Sequence, residues 1–441
     1  MVNKSINLNN EEWPSYGATL SEGDIIPVEN DNTKGSNWTA YVNVVCLLAG
    51  SGTLGITYAI KQGGWISVII LMFSAIISTY SNIKLIECLY YDRKTRKTSM
   101  SEIAYNAFGN VGLYIVSFFF NALALGCPIL YLILAADNSQ SLFSNNYNND
   151  DNNDDNNIGI NIGMKNWVYI WGIIMFVPFV LLKTMKEAAW LSIFGSLTTA
   201  LVVVVVSVTS VIEYPNNSHN SHDFINIRNI PIALATFSFS YGGNVVYPHV
   251  EASMKNPQAW PKVISFATFT VTLMYFIIGI PSYLTYGQNS LSPIYFNLPV
   301  GFSATISIIM ITAHVLLALP IYQTAFAIEL ENYLGITVEN LGKSRELIWR
   351  IIIRTIIMIF MIYCAINLPY FSDFMALLGA MGNGVLLNFM PIVVWLKLFG
   401  WNQLNGWKEK IWVIFALILS SLGAVIGTWD ALIALWLDIN R

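Results

Sequence analysis

Apolar runs of roughly 20 residues recur along this chain almost end to end, separated by short polar breaks. A helix needs about that length to cross ~30 Å of hydrocarbon, so each run predicts one membrane-spanning helix. Eleven are expected, over about 39–60, 64–90, 110–136, 166–183, 188–213, 231–250, 263–286, 300–328, 347–366, 373–398 and 410–436. The period-two alternation of strands is absent, which argues against a membrane barrel. The first 36 residues are polar, rich in Asn, Glu, Asp and Ser, and carry no apolar stretch of targeting length. They read as a disordered cytosolic tail ahead of a membrane domain covering 37–441.

Lys and Arg set the orientation. With the amino terminus cytosolic and one crossing per run, the cytosolic loops hold Arg93, Lys94, Arg96 and Lys97, then Lys183 and Lys186, Lys255 and Lys262, Lys343 and Arg345, and Lys408 and Lys410. Of the 22 basic residues only Lys61, Lys165, Arg228 and Arg441 fall on the far side, which is the bias that membrane insertion favours. An odd number of spans leaves the carboxyl terminus on that far side. The tract Asn145 to Asn157, nearly all Asn and Asp, falls there too and is too polar to pack.

Composition agrees with this picture. The 441 residues are 55% hydrophobic and 11% charged, less than half the charged share of a soluble domain. A net charge of -4 suggests no nucleic-acid partner. Cys46, Cys88, Cys127 and Cys364 all lie inside apolar runs, without the close pairing of a zinc site. Neither a metal nor an organic cofactor is expected.

Two runs carry residues that fit poorly in an unbroken apolar helix. The first contains Ala49-Gly50-Ser51-Gly52-Thr53-Leu54-Gly55 near its middle. The sixth contains Phe237-Ser238-Phe239-Ser240-Tyr241-Gly242-Gly243-Asn244 and then Pro248. Glycine costs about 1 kcal/mol against alanine inside a helix, and backbone freed in hydrocarbon needs another partner. Such backbone survives where it lines a cavity. Half-helix amino termini there attract a carboxylate, and freed carbonyls take an ammonium or a cation. Close helix packing through small residues is the alternative reading. The site reading is favoured because the breaks occupy corresponding places if the first ten spans form two inverted halves. Both breaks also add hydroxyls or amides, which packing does not require.

Beyond the breaks, recognisable stretches appear. Val42-Asn43-Val44-Val45-Cys46 through Gly50-Ser51-Gly52-Thr53-Leu54-Gly55 to Tyr58-Ala59-Ile60-Lys61-Gln62-Gly63-Gly64-Trp65 resembles the opening of the amino acid/auxin permease family, most of all its vacuolar and vesicular amino acid transporters. Three stretches agree: Ser101-Glu102-Ile103-Ala104-Tyr105-Asn106-Ala107-Phe108-Gly109; Tyr241-Gly242-Gly243 through Pro248 to Pro261-Lys262-Val263; and Leu368-Pro369-Tyr370-Phe371 to Met375-Ala376-Leu377-Leu378-Gly379. The resemblance runs from about Asn37 to Leu398.

What it implies is an all-α, eleven-helix membrane protein of the LeuT-like inverted-repeat fold, with helices 1 and 6 broken. The repeats fall at about 39–213 and 231–398, and about 410–436 is an extra helix. The implied activity is secondary transport of amino acids by proton-coupled antiport at a vacuolar or related membrane. Amides around Gly50, Ser51, Gly52, Thr53, Leu54 and Gly55 would hold the substrate carboxylate. Carbonyls around Phe237, Ser238 and Ser240 would take its amino group, and Tyr241, Gly242 and Gly243 would line the side-chain pocket.

Ionisable groups inside a bilayer are expensive and often functional. His314, in the eighth span, titrates in a useful range and is a candidate for the coupled proton; a neutral His bonded to a backbone carbonyl is the alternative. Asn43 either joins an ion site or bonds a neighbouring helix. His249 and Glu251, at the end of the sixth span, read as a solvated helix end, with a cytosolic gate as the rival. Glu87 beside Lys84 reads as an interfacial ion pair.

Other function classes fit less well. A membrane enzyme would gather acids, bases or metal ligands on one cavity, and the sequence offers scattered single residues instead. An amino acid sensor on the same fold, without net transport, keeps the same pocket and is the nearest alternative. The expected partners are therefore an amino acid, a proton and the lipid bilayer.

Overall fold

The computed structural model describes residues 35–92, 96–97, 99–145, 162–181, 189–243, 245–368 and 370–439. The expected tail (residues 1–34 of it), Arg93, Lys94, Lys183, Lys186, Asn244, Pro369, Arg441 and all but the first residue of the Asn/Asp tract lie outside that set.

The described residues form helices almost throughout. The first expected span is in two pieces. Helix α1 (Asn37–Leu48) starts where the Ser36 hydroxyl accepts the Thr39 N–H, an N-cap that satisfies an orphan amide. A short 3₁₀ turn, Ser51–Gly55, then leads into α2 (Ile56–Gly63), and the two halves are bent by 41°. Gly64 stops α2 with φ 78°, a left-handed conformation that disfavours any side chain.

Next come α3 (Ile66–Leu89), α4 (Met100–Asn145, interrupted at Gly109), α5 (Met164–Leu181) and α6 (Ala189–Asn217). The sixth expected span is again in pieces, α7 (Ile230–Ser240) and α8 (Tyr247–Ala252), separated by non-helical backbone. Then follow α9 (Trp260–Tyr286), α10 (Phe302–Tyr333) and α11 (Val338–Asn367). The tenth expected span starts as α12 (Phe371–Leu377), continues as a π-helical stretch over Leu378–Phe389, and ends as α13 (Met390–Phe399). The last helix is α14 (Gly406–Ile439).

Among the described residues, nine helices are long and apolar enough to cross a membrane, and the bent pair at 37–63 makes a tenth. Neither α7 nor α8 has that length alone. The outward faces agree with a lipid surround: Val425, Trp429 and Trp436 of α14 and Ile173 of α5 are exposed and apolar. Several helices outrun the apolar runs that announced them. Helix α4 continues to Asn145 because its polar extension is itself buried, with Asn138 Nδ2 on Thr312 Oγ1 at 2.9 Å and the Trp171 indole on Ser139. Lys343 and Arg345, expected in a loop, lie within α11.

Against the broken spans pack α6 and α9 on α1, α9 and α3 on α2, and α3 and α14 on α7. The π-helical stretch lies against α7 and α14. A methyl at Gly379 would fall 2.0 Å from the Ala235 carbonyl oxygen, so that contact is backbone on backbone.

Candidate substrate site

The two interrupted segments meet. The Ser240 hydroxyl donates to the Gly52 carbonyl at 3.0 Å and to the Thr236 carbonyl at 2.8 Å. A Cβ at Gly52 would stand 2.6 Å from Ser240 Cα, closer than real Cβ contacts permit. Only glycine allows the turn after α1 to touch the end of α7.

Beside this contact is a hollow of about 20 Å³, space for little more than one water. Leu48, Gly50, Ser51 and Gly52 wall it on one side and Phe239, Gly242 and Gly243 on another. Leu123, Cys127 and Tyr131 of α4, Tyr322 of α10 and Asn383 of the π stretch complete it. Among the described residues, no charged side chain lines it. In the 3₁₀ turn Thr53 N–H takes the Gly50 carbonyl at 3.1 Å. The earlier amides of Ser51 and Gly52 have no acceptor within the turn. The buried Ser51 hydroxyl lies beside the Tyr131 phenol without reaching hydrogen-bond geometry.

Of the residues expected at the site, Gly50, Ser51, Gly52, Gly242 and Gly243 come together around this hollow. The others stand behind it. Thr53, Leu54 and Gly55 are buried, and a Cβ on Gly55 would meet Met375. Phe237 and Ser238 lie inside α7, Ser238 within 3.4 Å of Asn388. Tyr241 is fully buried and turns to α9, its hydroxyl 2.9 Å from Thr272 and its ring edge-on to Tyr275. The oxygen of Asn43, midway along α1, is buried without a partner among the described residues. His314 places Nδ1 2.9 Å from the Gly195 carbonyl and 3.1 Å from Thr199 Oγ1. If Nδ1 donates to that carbonyl, Nε2 is an acceptor. Nε2 faces Gly50, where a Cβ would sit 3.3 Å away.

A family model for the transmembrane amino acid transporter protein matches residues 33–433. The chain belongs to that family. Among its relatives, the amino acid transporter AVT1J of Arabidopsis thaliana is 27% identical over 386 residues, 87% of this chain and 88% of that one. AVT1I from the same plant is 26% identical over 93% of this chain and 98% of its own length. The vesicular inhibitory amino acid transporter of Xenopus tropicalis is 24% identical over 88% and 75%. Two solved structures share the fold: a Na+-coupled sialic acid symporter, TM-score 0.55 at 15% identity over 91% and 90%, and MhsT with L-phenylalanine, TM-score 0.55 at 11% identity over 91% and 100%. The expected LeuT-like class thus holds. The transporter is a multi-pass membrane protein of amino acid transport, not an enzyme.

Three features of its structure were not foreseen. The Tyr275 hydroxyl of α9 lies 2.8 Å from the Leu48 carbonyl and 2.6 Å from the Ser240 carbonyl. One phenol thus serves the carbonyl ends of α1 and α7 together. Tyr275→Phe strips both of their donor, at about 1–3 kcal/mol for a buried orphan. Labelled amino acid counterflow should fall about tenfold, with a lower thermal unfolding midpoint; uptake equal to the parent protein would show that the phenol does not hold the breaks.

Next, Glu251 is fully buried rather than solvated. Its carboxylate meets Arg96 at 2.7 Å and accepts the Tyr90 hydroxyl, while Arg96 also donates to the Pro248 carbonyl. His249 is exposed, as expected of a helix end. Gly35 adds two backbone bonds beside this pair, its N–H to Ser253 at 2.8 Å and its carbonyl from Lys255 at 2.9 Å. This face of the bundle is therefore tied shut. On the opposite face the turn Ile294–Asn297 packs on the Ser51–Gly55 turn. There the buried Tyr295 hydroxyl donates to Asn138, and burial pushes this phenol well above its ordinary range, so it stays a donor. The Lys84–Glu87 pair forms as expected at 3.1 Å, with Glu409 3.6 Å away and the Trp395 indole bonded to Glu87.

The third is an ion pair buried between helices. Arg354 of α11 is 0% exposed and bonds Glu331 of α10 at 2.8 Å and the Phe179 carbonyl of α5.

Proposed function

We propose that this protein is a proton-coupled secondary transporter of neutral amino acids, working by alternating access. The observation that carries the reading is the meeting of the 3₁₀ turn after α1 with the non-helical backbone after α7, across a hollow free of charged side chains. A zwitterion needs dipoles rather than net charge. Amides of Ser51 and Gly52 suit its carboxylate. The carbonyls where α1 and α7 stop suit its ammonium, since a carbonyl holding one hydrogen bond keeps a second lone pair.

Both faces are tied, at Arg96–Glu251 and at Tyr295–Asn138, and the hollow is too small for an amino acid. Transport then requires the broken spans to move against α4 and α10. The passage α7–α8 counts as one crossing in this reading, giving eleven, with the amino terminus cytosolic and the carboxyl terminus lumenal by the positive-inside bias. The relative named for vesicular transport favours an endomembrane compartment, where a proton gradient would drive exchange.

His314 is the coupling residue in this proposal. It bonds the Gly195 carbonyl of α6 and lies beside Gly50 of the break, so gaining a proton changes the electrostatics of the turn that holds the carboxylate. In reconstituted liposomes an imposed pH gradient should accelerate uptake of labelled amino acid. His314→Ala should lose that acceleration while exchange without a gradient persists. Equal acceleration in His314→Ala would remove the proton from this residue, and no uptake by the parent protein under any gradient would remove the transport reading itself.

A further inference from the structure

We infer that Asn383 reads the substrate's side chain, and that the preferred substrates are neutral amino acids ending in an amide or hydroxyl. This inference rests on the transport reading above and deepens it. Asn383 sits in the π-helical stretch Leu378–Phe389, a geometry that recurs at functional sites because it re-aims side chains out of the regular helical register. The side chain is 96% buried, being 4% exposed, and it lines the hollow. No hydrogen bond ties its amide to the described residues, although buried amides are nearly always paired. An Asn carries two donors and an acceptor, so this one presents its full capacity to the hollow.

Its neighbours are built around it. A Cβ at Gly242 would lie 2.0 Å from Asn383 Nδ2, so the glycine after α7 makes room for this amide. The adjoining Gly382 is pressed on Leu123, 2.4 Å from where its Cβ would be. Leu123, Cys127 and Tyr131 recur every four residues on one stripe of α4, which sets Leu123 about 12 Å from Tyr131 along the helix. Tyr131 marks the Gly50 end, its hydroxyl 3.7 Å from a Cβ built there. Asn383 and Gly242 mark the other. A carboxylate held at Ser51 and Gly52 therefore directs its side chain along the stripe toward Asn383.

The surrounding wall of Leu123, Cys127 and Phe239 is apolar, so one amide decides the polarity there. A substrate that bonds it satisfies both partners. An apolar isostere leaves the Asn383 amide buried and unpaired, which is the arrangement that discriminates strongly against analogues lacking the polar group. Charged side chains find no counter-ion in the lining.

The test is counterflow in liposomes with two near-isosteric pairs, threonine against valine and glutamine against methionine. The parent protein should favour the polar member of at least one pair by about tenfold, the effect of one or two neutral hydrogen bonds. Asn383→Leu and Asn383→Ala should each reduce that ratio toward one or below; the alanine variant is smaller and cannot clash with Gly242. A parent protein that carries amino acids without favouring the polar members overturns the assignment. So does a ratio that survives in Asn383→Ala, or an equal loss of all four substrates there. A parent protein that carries none of the four, nor any other amino acid, overturns the transport reading instead.

Discussion

Gly52→Val abolishes amino acid uptake while the protein still inserts in the membrane at normal abundance. The first carbon of the new side chain would stand 2.6 Å from Ser240 Cα and 2.9 Å from Ser240 Oγ. The obstacle is mainly backbone, so no rotamer change relieves it, and the turn after α1 must move off the end of α7. That motion breaks the Ser240–Gly52 hydrogen bond and displaces the amides proposed for the carboxylate. Overpacking of this kind costs up to about 3 kcal/mol, or about a hundredfold in binding. Gly52→Ala already suffers the clash and should lose most uptake. Gly163→Ala, where a methyl meets nothing within 4 Å, is the matched control and should leave uptake unchanged. Counterflow of labelled amino acid, normalised to protein in the liposomes, reads the difference. Uptake by Gly52→Val within a few-fold of the parent protein would mean that the two breaks need not touch.

The sequence revealed this contact only in part, for physical reasons. Glycines set among hydroxyls at mid-span are locally improbable in hydrocarbon, so the interruption at Gly50–Gly55 was readable without any tertiary information. The membrane class was readable for the same reason, since run length is a local property. Which residues of each break face the hollow was not. Tyr241 follows the end of α7 and looks like pocket lining, yet its phenol finds Thr272 of α9. That choice depends on a helix 31 residues away. Asn383 was hidden differently. It sits between Gly382 and Gly384, and glycines in a span serve close helix packing as readily as a π-helical turn. Glu251 was misjudged because a carboxylate near a helix end is normally solvated. Its burial depends on Arg96, 155 residues earlier in the chain.

Arg354 was overlooked for a related reason: near the start of a span, a basic residue usually reaches back to the headgroups. Here it is fully buried and held by Glu331 and the Phe179 carbonyl, with its guanidinium 5.3 Å from the centre of the Phe179 ring. One side chain thus fastens α5, α10 and α11. Desolvating two charges is costly, so the pair need not stabilise the fold more than apolar residues would. Removing one partner alone is different, because it strands the other charge at about 3–5 kcal/mol. Arg354→Met and Glu331→Met should each lower the thermal unfolding midpoint sharply in detergent, whereas the double variant should recover most of the loss. The recovery is what separates a stranded charge from lost packing: two independent packing defects would add. If the double variant is as unstable as the sum of the singles, Arg354 acts through its volume and its bond to Phe179, and the charge pairing contributes little.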